Sequence, residues 1–395
     1  MYPNFYYIFK DWFGIELDFL RMINSFGFFV AMSFLLAGWA MRVELKRKFN
    51  DGILGNGIKL KYFTGKPMPN SDYISSGITG FVFGFKILPL LLDFKISNND
   101  PQAFLLSTQG NFVYGLLVAL AFLGVNYWQD KKQRLPEPIE HTKTVDPSYY
   151  IGELTLAAFI GGILGAKFFH ILENLSEFNQ DPMGSILSFS GLTFYGGLIV
   201  GGISVLYVAK KKGIPFLHML DVGGPAMMLS YGTGRIGCHV SGDGDWGIVN
   251  TAPKPNWMSF LPDWMWRYDY PNNVNSVGVP MPNCIGEQHC NHLDPMVFPT
   301  PFYETIMALI LFAVLWSIRK KLKYGGLLFG IYLIMNGLER FMIEKIRVNT
   351  IQDFFGLKLT QAEIISTALV LLGIVLITYA FKVKKPVKLV NNDLG

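Results

Sequence analysis

Long apolar runs separated by short polar and basic segments set the pattern of this chain. Apolar windows of about 19 residues centre near Val30, Phe85, Val118, Gly161, Gly201, Met227, Leu311, Ile331 and Leu371. Each is long enough to cross the hydrocarbon core of a bilayer as a helix. The runs around Val30, Val118, Leu311 and Leu371 are unbroken, whereas that around Phe85 carries Lys86 and Pro89 and that around Met227 carries Asp221 and Pro225. The pattern predicts an all-α polytopic membrane protein with about nine transmembrane helices.

Charge assigns the sides. The basic clusters MRVELKRK, QDKKQR, AKKKG, RKKLK and FKVKK all fall on the cytoplasmic face if the N-terminus is outside, the C-terminus is inside and every window crosses. The opening MYPNFYYIFKDWFGIEL lacks the short apolar core and small-residue cleavage site of a signal peptide, so it reads as an interfacial, aromatic-rich lead-in. Composition agrees: 51% of the residues are hydrophobic and 16% charged, and mean hydropathy is +0.31, which excludes an ordinary soluble domain. The net charge of +5 is the inside-positive bias of a membrane protein and gives no reason to expect nucleic acid as a partner.

Four segments follow. Residues 1–41 hold the lead-in and first helix; residues 42–148 hold a polar cytoplasmic loop (Arg42 to Asp72), two helices and a Pro-rich linker, RLPEPIEHTKTVDPS, expected to lack regular structure. Residues 149–385 form the membrane core and 386–395 a cytoplasmic tail. Within the core the outside segment 238–300, rich in Gly, Pro, Asn, Trp and Asp, is long enough to fold over the membrane surface as a cap.

Charges inside the apolar windows carry the functional signal, because each costs about 2.5–3.5 kcal/mol at the bilayer centre. They are Lys167, Asp221, Arg235, Glu304, Glu339, Arg340 and Glu344, and on the orientation above all but Asp221 lie toward the outer side. Lys167, Arg235, Arg340 and Arg347 at one depth describe an anionic head-group site, since guanidinium forks bind phosphate oxygens in pairs. Snorkelling anchors at helix ends are the plainer alternative for any one of them. Arg340 and Glu344 are four apart and share a helix face, with Arg347 three further on.

Glycines surround these charges. FYGGLIVGG, with Gly196 and Gly197, has the small-residue spacing of close helix packing, and GRIG followed by SGDGDWG offers backbone N–H groups to an anion. The residues also leave open a carrier with an anion or proton pathway through Asp221. In the outside loop, Cys284 and Cys290 read as a small disulfide-closed loop, with a metal site shared with His289 and His292 as the alternative; Cys238 is left free.

In this order and at about these separations, LTFYGGLIVGG, GTGRIGCHVSGDGDWG, FPTPFYE and LERFMIEKIR resemble the prolipoprotein diacylglyceryl transferase family. Its usual strings are His-Gly-Gly after an aromatic, Gly-Arg-x-Gly-Asn-Phe-x-Asn-Gly-Glu-x-x-Gly, Pro-x-Gln-Leu-Tyr-Glu and Arg-x-x-x-Glu-x-x-Arg. Arg340, Glu344 and Arg347 match the last. GILGAKFFHIL is similar to the family's Gly-Gly-Arg-x-Gly-Tyr segment, with Lys167 at the arginine place and His170 at the tyrosine place. INSFGFFVAMSFLLAGW resembles the family's Tyr-Gly helix, with Phe26 for tyrosine. The resemblance covers roughly residues 23–39 and 151–385 and leaves the helices around Phe85 and Val118 as an insertion into a seven-helix core.

The resemblance implies transfer of diacylglycerol from phosphatidylglycerol to the thiol of a lipobox cysteine, in a bacterial inner-membrane enzyme that needs no cofactor or metal and works as a monomer. It assigns the phosphate to Arg235 and Arg340, and orientation of the arginines or proton movement to Glu304 and Glu344. Lys167, Gly196, Gly197, Gly237, Cys238, Ser241, Gly242, Asp243, Gly247, Tyr303 and Arg347 would line the substrates. Several family residues differ here: Tyr195 stands for the histidine often assigned as base, Cys238 and Ser241 for two asparagines, Asp243 or Asp245 for a glutamate, and Pro301 for a glutamine. His239 and His170 are further candidates for the base.

Overall fold

The computed structural model describes residues 1–55, 57–92, 104–105, 107–187, 193–282, 284, 289–322, 324–349, 351–354 and 357–383. An amphipathic helix α1 (Phe5–Phe13) ends at Gly14, whose left-handed φ of 67° lets its N–H return to the Lys10 carbonyl. Helix α2 (Ser25–Asn50) starts at Asn24, whose side chain accepts from the Gly27 N–H at 3.1 Å. Then come strand β1 (Ile58–Thr64), helix α3 (Asn70–Val82), which runs on through a π turn to Leu92, helix α4 (Phe112–Gln133) and strand β2 (Ile139–Val145). Helices α5 (Ile151–Glu173), α6 (Phe194–Lys211) and α7 (Phe216–Ser241) precede the cap segment 242–299, which holds the short pair β3 (Val279–Pro280) and β4 (Asn291–His292). The chain ends with α8 (Thr300–Ile318), α9 (Leu327–Glu344), the pair β5 (Ile351–Phe354) and β6 (Leu357–Thr360), and α10 (Gln361–Val383).

Every apolar window in the sequence is helical. Among the described residues six helices are long and apolar enough to cross a membrane: those at Ser25–Asn50, Asn70–Leu92, Phe112–Gln133, Pro147–Glu173, Thr300–Ile318 and Gln361–Lys382. The other windows, α6, α7 and α9, are helices whose glycines or charges lower their apolar character. The protein is therefore a helical, polytopic membrane protein.

The segments on either side of α3 and α4 depart from expectation. Residues 42–50 continue α2, and the linker expected to be irregular supplies β2, which pairs antiparallel with β1 from Ile58 opposite Val145 to Thr64 opposite Ile139. The β-branched residues Ile139, Thr142, Thr144 and Val145 favour an extended backbone, and the partner strand satisfies its polar groups. The paired strands bracket α3 and α4, which pack on each other.

Close packing organises the rest, since lipid tails give helices little hydrophobic reason to associate. At the crossing of α5 and α6 a Cβ on Gly165 would stand 2.4 Å from the Gly196 carbonyl oxygen, and one on Gly196 2.5 Å from that of Gly165. Only glycine allows this approach. α2 lies along α7, α7 packs on α8 and α9, and α9 packs on α10. Asp221 is a buried tie. Its carboxylate accepts the backbone N–H groups of Gly326 and Phe329 at the start of α9, each at 3.0 Å, and faces Lys48 Nζ at 3.3 Å.

Candidate active site

The C-terminal parts of α7 and α9 and the start of α8 meet at one carboxylate. Pro299 and Pro301 flank the start of α8, where fixed φ suits a first turn, and Glu304 follows one turn on with no exposed surface. Arg235 Nε lies 3.1 Å from Glu304 Oε2, and Arg340 Nη1 3.2 Å from Oε1. Arg347 Nη1 donates to both oxygens, at 3.0 and 3.3 Å. Three guanidinium groups that would repel one another are thus gathered by a single buried acid.

Asp245 closes the ring. Arg347 Nη2 donates to its Oδ1 at 2.9 Å and Arg235 Nη1 to its Oδ2. The turn that presents it needs Gly242 and Gly244 at φ of 63° and 100°. Beyond it Gly247 donates its N–H to the Phe298 carbonyl and Ile248 to that of Ile346, each at 2.9 Å, so the loop is woven between the entry to α8 and the exit of α9. A Cβ on Gly247 would come within 2.4 Å of the Ile346 oxygen. Thr300 Oγ1 donates to the Asp245 carbonyl at 2.8 Å. Glu344 holds Arg340 Nη2 at 3.2 Å and accepts from Asn349 Nδ2 at 2.5 Å.

The two acids of the turn differ in electrostatics. Burial pushes Asp245 up, but Arg235 and Arg347 together outweigh it and hold the carboxyl below its ordinary range. Asp243 is pushed above its ordinary range by burial and then by Asp245. Of the two acids the sequence offered in place of the family glutamate, Asp245 pairs with the arginines, while Asp243 accepts the Asp245 N–H at 3.3 Å and shapes the turn. Ligand atoms of Cys238, Asp243 and Asp245 lie within 4.8 Å of one another, the one grouping among the described residues with metal-like spacing. Asp245 is already committed to two cations there, which opposes a metal ion.

Other predicted residues have distinct placements. Cys238 is buried with its sulfur 3.6 Å from Arg235 Nη1. Gly237 packs on α2, where a Cβ would be 3.0 Å from that of Phe29, and Ser241 Oγ donates back to the Gly237 carbonyl at 2.8 Å. Tyr303 Oη donates to the Met265 carbonyl at 2.8 Å, tying the cap to α8. Lys167 and Tyr195 ride on the α5 and α6 pair, and Gly196 and Gly197 face α5, so these glycines act in packing. Neither histidine proposed as base lies among the ion pairs. His239 sits against Trp264, Tyr268, Tyr270 and Phe302, with Nδ1 3.2 Å from Tyr270 Oη, and His170 Nδ1 is 3.2 Å from Asn174 Nδ2. Cys284 and Cys290 are disulfide-bonded.

Sequence reasoning missed Thr300 and Asn349, whose short polar side chains carry no spacing signal, and Tyr231, whose ring lies 5.3 Å from the Arg235 guanidinium carbon.

The class is thus a polytopic helical membrane protein that gathers three arginines on carboxylates where three helices end. The model of the prolipoprotein diacylglyceryl transferase family matches residues 101–379, and the chain belongs to that family. It is 27% identical over 290 residues to the phosphatidylglycerol–prolipoprotein diacylglyceryl transferase of Dehalococcoides mccartyi, covering 73% of this chain and 96% of that one. The enzymes of the same name from Vibrio atlanticus (26% over 293 residues, 73% and 93% covered) and Clostridium tetani (28% over 234 residues, 59% and 80%) are similar too. The matched stretch takes in α4, which the string resemblance had set among inserted helices, and begins after α2.

Proposed function

We propose that this protein transfers the diacylglyceryl group of phosphatidylglycerol to the cysteine thiol of a prolipoprotein lipobox and releases glycerol phosphate. The observation that carries the reading is the convergence of Arg235, Arg340 and Arg347 on Glu304 and Asp245, in a chain of this family. When the lipid arrives its phosphate competes with these carboxylates for the guanidinium N–H donors, and Glu304 and Asp245 keep the arginines aimed. The lipobox sulfur, as thiolate, attacks the glycerol carbon. The C–O bond breaks toward phosphate, and the arginines hold the charge that develops there.

In this reading the chain is a monomeric, nine-span protein of the bacterial inner membrane, with its N-terminus and the 238–300 cap outside and its C-terminus cytoplasmic. Lipid enters sideways between helices and the lipobox peptide enters under the cap. α3 and α4, bracketed by β1 and β2, form a hairpin beside the core; the strand pairing and the packing of α2 on α7 support that division. Lys167, Tyr195 and the loop from Gly242 to Gly247 flank the substrates, with Tyr195 near the acceptor.

The test is transfer from labelled phosphatidylglycerol in vesicles to a fluorescent lipobox peptide. A diacylglyceryl thioether on the peptide is expected. Movement of labelled lipid or glycerol phosphate across the membrane with no lipid on the peptide would sink the reading.

A further inference from the structure

Glu339 precedes Arg340 on α9 and is only 4% exposed, yet neither of its carboxyl oxygens has a hydrogen-bond partner. Every other carboxylate at the arginines is engaged: Glu304 by three guanidinium groups, Asp245 by two and Glu344 by one. Glu339 directly precedes Arg340, one of the three arginines, on the same helix. The Tyr231 hydroxyl of α7, whose ring lies 5.3 Å from the Arg235 guanidinium carbon, is likewise buried without a hydrogen-bond partner.

Charge counting then separates Glu339 from its neighbours. Arg235, Arg340 and Arg347 are matched one for one by Glu304, Asp245 and Glu344, so an ionised Glu339 would be surplus negative charge at a buried position. An incoming phosphate adds to that surplus. A buried carboxyl with no hydrogen-bond partner is placed to hand a proton to an anion that forms beside it.

Departure of the head group forms such an anion. When the glycerol C–O bond breaks, the bonding pair passes to the bridging oxygen and a phosphodiester monoanion becomes a phosphate monoester, whose second ionisation lies near pH 6. We propose that Glu339 donates its proton to that oxygen. The sulfur–carbon bond forms as the carbon–oxygen bond breaks; the thiol's own proton has gone to water at the outer mouth, and Glu339 regains a proton from water once glycerol phosphate leaves. The assignment rests on the transfer reading and adds to it a named acid, at a position the family strings do not specify.

The experiment uses the full-length protein in phosphatidylglycerol vesicles with a fluorescent lipobox peptide, comparing wild type, Glu339→Gln and Glu339→Asp between about pH 6 and 9, around the ionisation of a leaving phosphate. Thermal unfolding of each, with and without lipid, checks fold and binding. Glu339→Gln is expected to lose about 10²–10⁴-fold in kcat with KM for lipid unchanged, and Glu339→Asp to recover part of it. A donor with sulfur in place of the bridging oxygen releases a thiophosphate that needs no proton, so on it the Gln deficit should shrink. A structural role for Glu339 would lower both donors alike. That result, or a Glu339→Gln protein as fast as wild type on ordinary lipid, overturns the assignment alone. No transfer by the wild type overturns the transfer reading and the assignment together.

Discussion

Replacing Glu304 by Gln keeps the shape of the side chain and removes the charge that three arginines share. At 3.0–3.2 Å and an effective dielectric near 20, each contact is worth on the order of 5 kcal/mol of Coulomb attraction. Desolvation of the buried ions cancels much of this, and breaking a buried pair by removing one partner typically costs about 3–5 kcal/mol. The Gln variant also leaves three guanidinium groups facing one another with only Asp245 between two of them. We therefore expect Glu304→Gln to unfold at clearly lower temperature in detergent. We also expect it to be rescued by glycerol phosphate far more strongly than wild type, because the ligand now supplies the missing anion. Tryptophan fluorescence melts against a phosphate titration measure both effects. A variant as stable as wild type, or one indifferent to phosphate, would refute the view that Glu304 holds the arginines in register.

Other parts of the structure make separate predictions. Asp245 contributes stability that is complete above the ordinary carboxylate range and lost as pH falls through its lowered value, whereas ionised Asp243 costs stability above that range. Melts at neutral pH should therefore show Asp245→Asn destabilised and Asp243→Asn equal to or more stable than wild type; the reverse order would contradict the assignment of the two acids. Gly196→Ala forces a Cβ into the Gly165 carbonyl and should cost about 1–3 kcal/mol of stability, while unchanged melting would mean that the glycine serves substrate and not packing. Asp221→Asn should lower stability by about 3–5 kcal/mol by stranding Lys48 and weakening the start of α9. Loss of lipid transfer without loss of stability in that variant would instead return Asp221 to a functional role.

The membrane class was legible in the sequence because apolar windows of bilayer length are rare in soluble chains, and each of these windows is helical. Arg235, Glu304, Arg340, Glu344 and Arg347 also stood out, since charge in an apolar window is costly and two of them share a helix face. Distance was the missing quantity. Nothing in the spacing says that Glu304 rather than Glu344 lies at the centre, or that Asp245 rather than Asp243 reaches the arginines, because both depend on how the glycine turn threads between two helix ends. The strand at Ile139–Val145 was hidden by the prolines before it, since its partner lies across the intervening helices at Ile58–Thr64. The spacing of Gly196 and Gly197 read as packing and the family resemblance set them beside substrate; the position of α5 shows the close helix contact they make.

Arg235, the guanidinium that joins Glu304 to Asp245, bears most directly on how the lipid phosphate is held. Vesicles of labelled phosphatidylglycerol with a fluorescent lipobox peptide should yield a diacylglyceryl thioether with wild-type protein and none with a folded Arg235→Ala protein. Full transfer by Arg235→Ala, or none by the wild type, would contradict the claim that these arginines hold the lipid phosphate during transfer.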